Sequence, residues 1–407
     1  MLTHSVSIES FWDRDRLAMM KAKKVVVLRN GARRKFEKGF PWFQRNDVRM
    51  PEELGQGELV RIEGQDGSFL GIGMANRGAR FPVKILTTED RAIDGAFFRE
   101  RLDAAWAYRA GMELESNAWR WVHGEADGLP GLIVDWFDGH VAVQVRNAGM
   151  ERLKDVWAPV LAERAKSVYE RSDMAGRKEE GLEDVNGQLS GDTPDRVEIF
   201  ERNVKYLVPI KDGLKTGHFL DQRNSRYRFA DRVKTGEKVL DLFCYTGGFS
   251  VVGAVVGAES LGVDLKYVAV ETARANAIAN GVDVPFVQGN AFDYVAKDAE
   301  ASGPYDWVIL DPPAIGKTKE TRESLKWGIW KLVHDALPLL AANGKMVVCA
   351  CTWQMNVDDC WEVIQLAAGD QGVRVVLEEV TLQDLDHPAV AHFPQSLYLK
   401  CLWVRRV

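Results

Sequence analysis

The sequence predicts an α/β protein in three parts: a small β-barrel, a central α+β region, and a doubly wound, largely parallel sheet in the second half. Three observations predict it. Runs of β-rich residues broken by glycine turns occupy 24–90, a helical period and a hairpin follow, and from residue 205 strands alternate with helices to the end. At ~150 residues per domain, a chain of 407 holds two or three domains.

Taken in order, 24–28 and 57–63 are strand candidates, 64–67 has turn chemistry, and 69–74 and 82–86 are further strands. Residues 92–112 then place Phe97, Leu102, Ala105, Trp106 and Tyr108 at helical spacing. The glycine-rich turn 124–131 precedes a hairpin of 132–136 and 141–146 around Asp138-Gly139. Residues 150–165 read as helix, whereas 172–196 is polar, acidic and aperiodic and reads as a long loop or linker. Beyond it, strands at 238–243, 260–264, 285–288, 307–311 and 345–350 alternate with helices at 249–258, 266–280, 325–341 and 357–369. Strands at 373–377 and 398–404 close the chain. Parallel strands need such crossover helices, so the alternation implies a doubly wound sheet.

Composition narrows the function. With 46% hydrophobic and 28% charged residues the chain is neither disordered nor fibrous. The apolar run 251–258 falls short of the ~20 residues of a membrane helix, so no membrane partner is expected. Glu9, Asp13 and Asp15 close behind Met1 do not form a secretory signal, and five cysteines, an odd number, fit a reducing cytoplasm better than a disulfide framework. The net charge is −6, yet between Lys21 and Arg49 ten basic residues stand against Glu37 and Asp47. That local excess of +8 would attract phosphate, or it is a solvated face balancing an acidic remainder.

Three motifs carry chemistry. Asp241 lies on a strand that runs into Cys244-Tyr245-Thr246-Gly247-Gly248-Phe249, and a second strand ends in Asp264, 23 residues after Asp241. Glycines allow close backbone approach at a strand-to-helix turn, and an acid ~20 residues on accepts bonds from ribose hydroxyls, so a nucleoside cofactor fits. The dinucleotide pattern G-x-G-x-x-G and a Walker lysine are both missing. S-adenosylmethionine, which has no phosphates, needs only the turn and the acid; the bland alternative is a purely structural turn. The second motif, Asp311-Pro312-Pro313, sets a carboxylate at the ligand edge of the sheet, although an Asp that merely caps a turn reads the same. Third is Cys349-Ala350-Cys351-Thr352. Cys349 within the strand reads as packing, while Cys351 leaves the sheet on the edge of Asp311. Carbon 5 of a pyrimidine is unreactive until a nucleophile adds to carbon 6, and a thiolate suits that addition.

Together these residues resemble the PUA-containing family of class I methyltransferases that modify a cytosine in large-subunit ribosomal RNA. The resemblance spans nearly the whole chain. It rests on Gly39-Phe40-Pro41-Trp42-Phe43, on 67–73, on Gly124-Glu125-Ala126-Asp127-Gly128-Leu129-Pro130-Gly131-Leu132, and on Lys215-Thr216-Gly217-His218-Phe219-Leu220-Asp221-Gln222-Arg223. It continues through 241–249, Asp311-Pro312-Pro313, Cys351-Thr352, Asp386-His387-Pro388 and Tyr398-Leu399-Lys400. Departures fall at Ala314-Ile315, where the family often has an aromatic, at Ile329 in place of a frequent Tyr, and at Trp353. His123, Glu125 and Asp127 imply no metal site in that family.

The resemblance implies a PUA-like RNA-binding barrel over 1–91, a central α+β domain with linker over 92–200, and a Rossmann-like class I methyltransferase domain over 201–407. It implies S-adenosylmethionine held by Phe219, Asp221, Gln222, Asp241, Tyr245, Thr246, Gly247, Asp264, Leu265, Asn290, Ala291 and Asp311, with Asn290 near the adenine amine. Cys351 and Asp311 would be catalytic: Cys351 adds to carbon 6 of cytosine, and Asp311 bonds the ring nitrogen and exocyclic amine. The implied partner is large-subunit ribosomal RNA with the target base unpaired or flipped out, and a homodimer is compatible. The alternatives are a relative that modifies guanine or another atom, with Cys351 as packing, and an RNA-binding or ribosome-assembly protein without catalysis.

Overall fold

In the computed structural model, residues 22–174, 176–297, 303–313 and 322–407 are described. Met1, Glu9, Asp13, Asp15, Lys21, Ala314 and Ile315, on which the sequence expectations drew, lie outside them. The first sheet contains β1 (Lys24–Leu28), β2 (Trp42–Phe43), β3 (Val48–Arg49), β4 (Glu58–Glu63), β5 (Phe69–Ala75) and β6 (Val83–Thr87), ordered β2-β6-β5-β4-β1-β3. It encloses Val26, Leu28, Phe43, Val60, Ile62 and Val83, each fully buried apolar side chain contributing about 1.5–3 kcal/mol. The segment also holds a helix, Asn30–Glu37, where only strands were expected. It buries Ala32 alone, so it carries no apolar period to read. Part of the basic excess here is neutralised: Lys24 pairs with Glu58, Arg33 with Glu37 and Lys35 with Asp47.

The central sheet follows the helix Gly95–Ala110, whose Asp94 side chain accepts from Phe97 N and caps it. Its strands are β7 (Ala118–His123), β8 (Leu132–Phe137), β9 (His140–Val145), β10 (Ser167–Ser172) and β11 (Val185–Gly191), ordered β11-β10-β9-β8-β7. The hairpin β8–β9 stands where the sequence places it, turning at Asp138 (φ 46°) and Gly139 (φ 93°). The expected loop 172–196 is corrected: it contains the helix Gly176–Glu179 and β11, paired antiparallel with β10. As an outer strand β11 buries none of its residues fully, so its polar sequence hides it.

β12 (Val197–Glu201) and β13 (Val204–Val208) form a hairpin that spans the expected 200/201 boundary. Val197, Ile199, Val204, Tyr206 and Val208 share one core with Val239, Trp307 and Trp403 of the last sheet. That sheet comprises β14 (Lys238–Leu242), β15 (Glu259–Asp264), β16 (Phe286–Gln288), β17 (Tyr305–Leu310), β18 (Leu340–Cys351), β19 (Val375–Leu382) and β20 (Leu399–Arg406). Its order is β16-β15-β14-β17-β18-β20-β19, and β20 runs against its neighbours. Strand order reverses between β14 and β17, where a doubly wound sheet opens a crevice at its carboxyl edge. Central region and sheet are locked by buried ions: Arg223 Nε bonds Asp384 at 2.6 Å, Arg223 Nη2 lies 2.8 Å from Asp386, and Asp386 accepts from Arg120 N.

Candidate active site

The chain leaves β14 in a tight turn with Phe243 (φ 62°), Tyr245 (φ 49°) and Gly247 (φ 79°) all left-handed. Strain of this kind persists where surrounding contacts impose it. A side chain at Gly247 would meet Phe286 at 3.0 Å and Ala273 at 3.1 Å, so Gly247 backs the turn rather than lining the cavity in front of it. Asp241 is 1% exposed; its Oδ2 accepts from Ser250 N (2.9 Å) and Oγ (2.6 Å), tying the turn to the helix Gly248–Val256. Its Oδ1 has no hydrogen-bond partner among the described residues, and the residue belongs to the cavity wall. Burial pushes Asp241 up to about 7. A ligand donor there would satisfy that orphaned oxygen.

Asp264 at the end of β15 accepts from Tyr245 N through Oδ2 and from Lys266 N through Oδ1, both 2.9 Å. Each carboxylate oxygen keeps a lone pair for a ribose hydroxyl. Tyr245 in turn accepts from Leu214 N (2.8 Å) and donates to Gly217 O (3.1 Å), with its ring 5.0 Å from that of Phe219. The Lys215–Gln222 stretch is thereby pinned over the turn. Asn290 Oδ1 accepts from Phe292 N at 2.9 Å, leaving one lone pair and its amide for an adenine edge.

The reactive end lies beyond Phe219. Asp311 follows β17, and burial, with Asp221 nearby, pushes it up to about 7 against the Gln222 amide and Lys215. Near neutrality it therefore holds a proton part of the time. Burial opposes the charge on Asp221, but His387, Lys215 and the Tyr398 hydroxyl, 2.7 Å from Oδ2, hold it below the usual range. Cys351, half-buried, ends β18. Burial pushes its thiol up to about 12, with Lys215 the largest opposing influence. At rest the sulfur therefore holds its proton, which it must lose to act as the thiolate that suits addition to carbon 6. Cys349 is fully buried beside Cys401, as expected of packing.

A cavity of about 700 Å³ joins these groups. Phe219, Asp221, Gln222, Asp241, Tyr245, Thr246, Asp264, Leu265, Asn290, Ala291, Asp311 and Cys351 line it. Of the residues assigned from the sequence to the cofactor and to catalysis, Gly247 alone does not. With the aromatic walls Phe243 and Phe292 and the acid Asp264, the cavity suits an uncharged nucleoside carrying a cationic tail. Sequence reasoning missed Gln144 and Arg171, which reach the same cavity from β9 and β10. A lone Gln in the apolar run His140–Val145 was the available signal. Among the described residues no metal-binding cluster occurs; Asp127 serves Arg109, and Glu125 accepts from Trp42. Ile329 packs in the core beneath the sheet, away from the cavity.

Comparison with known proteins bears on this geometry. Residues 26–88 match the family described as PUA-like domain, and 166–368 that described as S-adenosylmethionine-dependent methyltransferase. Ribosomal RNA large subunit methyltransferase I of Shewanella amazonensis is 32% identical over 391 residues, 93% of this chain and 98% of that protein. A putative ribosomal RNA large subunit methyltransferase of Methanocaldococcus jannaschii is 34% identical over 375 residues, 90% and 95% of the two chains. Among solved structures, a putative methyltransferase complexed with SAH has TM-score 0.81 at 23% identity, covering 94% of this chain and 100% of that one. That likeness speaks for the fold.

Proposed function

Because the chain belongs to the S-adenosylmethionine-dependent large-subunit ribosomal RNA methyltransferases, we propose that it methylates carbon 5 of a cytosine in that RNA through a covalent cysteine adduct. The observation that carries this reading is the place of Cys351. Alone among the five cysteines it lines both this cavity and a second one beside it, on the edge that also presents Asp311.

S-adenosylmethionine supplies the methyl group as an electrophile. Asp264 would hold its ribose, and Asp241 Oδ1 with the 243–247 turn its polar tail. Asp311, as carboxylate, takes the Cys351 thiol proton. The sulfur then adds to carbon 6, the pair from the 5,6 double bond shifts through carbon 5 toward the ring nitrogen, and Asp311 passes the proton on to that nitrogen. After carbon 5 has taken the methyl group, its proton is lost to solvent, the 5,6 double bond reforms as the sulfur departs, and the ring-nitrogen proton returns through Asp311 to the sulfur. A thiol at about 12 beside a carboxyl at about 7 makes proton loss from sulfur cost roughly 7 kcal/mol, within the reach of an enzyme barrier. The same raised thiol favours a second reading, in which Cys351 only packs and another atom or base is methylated.

The test is Cys351→Ala against Cys349→Ala, with bisulfite mapping of the RNA. Cys351→Ala is expected to lose methyl transfer by roughly 10³-fold or more while keeping SAH binding; Cys349→Ala should lose little. RNA containing 5-fluorocytosine should trap a covalent complex, since fluorine cannot leave as a proton. Full activity of Cys351→Ala together with no trapped adduct refutes the carbon-5 reading.

A further inference from the structure

Beside the first cavity lies another of about 480 Å³, sharing Gln144, Lys215, His218, Phe219, Asp221 and Cys351 with it. Its walls come from all three parts of the chain: Trp42, Arg80 and Phe81 from the barrel region, Arg120 and Arg146 from the centre, and Trp353 and Tyr398 from segments flanking strands of the last sheet. Its cations are unevenly engaged. Arg120 is held by Asp135 and Lys84 by Glu180, whereas Arg146 is exposed into the cavity and makes no side-chain hydrogen bond or ion pair among the described residues. Arg80 and Lys215 have no ion pair there either; they stand over the rings of Phe81 and Phe219. The acids on the same wall are largely taken: Glu180 by Lys84, Asp221 by Tyr398 and Glu125 by Trp42, with Glu179 exposed. Trp353, after Cys351-Thr352, leaves its indole 52% exposed.

Three unpaired cations and an exposed indole around a recess ending at a nucleophile match a strand of phosphates and bases. We infer that single-stranded RNA enters through this second cavity, Arg146 taking a phosphate next to the target nucleotide and Trp353 stacking a neighbouring base, so that the target reaches Cys351 opposite the cofactor. The inference rests on the reading that Cys351 marks the reacting base. Although its side chain opens into the recess, the protein walls around it and Arg120 close by lower the pKa of Arg146, with Glu125 opposing; an anion in the recess would relieve that penalty.

The experiment measures binding of a fluorescein-labelled, single-stranded RNA of mixed sequence to the full chain with SAH present, over a range of KCl. Arg146→Gln is expected to weaken binding about 3- to 30-fold and to reduce the slope of log K against log salt by about 0.7, with SAH affinity unchanged. Trp353→Ala should weaken binding about 5-fold or more with the slope retained. Lys238→Gln, at the opposite edge of the sheet, should match the parent in both. Parental affinity and slope in Arg146→Gln overturn the inference; should that variant fail to fold, parental affinity in Trp353→Ala overturns it. Binding is read without methyl transfer, so this outcome is separate from whether carbon 5 is the atom methylated.

Discussion

Asp311→Asn should make the protein increasingly more stable than its parent as pH rises. The carboxyl moves from 3.8 to about 7 on folding, chiefly through burial. Between those values the native state keeps a proton that the unfolded chain has lost, so parental stability falls as pH rises and levels off above 7. In full, three units amount to about 4 kcal/mol, of which about 2 falls between roughly pH 5.5 and 8.5. Asp311 is partly open to the cavity, so screening reduces the measurable change to about 1–2 kcal/mol. Asparagine lacks this titration. Loss of the Asp311 charge also relieves Asp241, where it adds to the burial penalty, so the two effects share a sign. Thermal unfolding of both proteins without SAH across that range should show the Tm gap widening in favour of Asp311→Asn by a few degrees. A gap independent of pH, or a variant less stable than the parent near pH 8.5, would refute the argument that burial keeps Asp311 protonated.

Two further outcomes follow from the contacts described. Asp264→Ala should weaken SAH binding about 10- to 100-fold, corresponding to loss of a charged acceptor of about 1.5–3 kcal/mol, as read by calorimetry. Arg223→Ala should destabilise the fold by about 3–5 kcal/mol, because Asp384 and Asp386 would remain buried without their cation. Urea unfolding measures that loss, and a midpoint unchanged from the parent would mean the pair contributes nothing.

The second half of the chain was legible because the inner parts of β17 and β18 are covered on both faces, so 307–310 and 346–350 run apolar without a break and end abruptly at Asp311 and Cys351. The 23-residue interval from Asp241 to Asp264 is set by one strand-helix-strand unit and is therefore visible locally. Arg146 and Trp353, by contrast, are more than 200 residues apart and meet only after the sheets dock. No local pattern marks such a pairing. β11 was hidden because an outer strand can be polar, and the helix Asn30–Glu37 because it buries one alanine. The protonation state of Cys351 was illegible for another reason: the identity of a side chain does not reveal how much water surrounds it.

The two cavities meet at Cys351 but end among different residues, the first near exposed Leu265 and Asn290, the second near exposed Arg80 and Trp353. Separate doors have a kinetic consequence. If RNA uses the second, neither substrate blocks the other's path, and the order of addition is random. SAH would then compete with S-adenosylmethionine while acting noncompetitively toward RNA. The spent cofactor could be exchanged with the transcript still in place, so turnover would not require the slower partner to dissociate first.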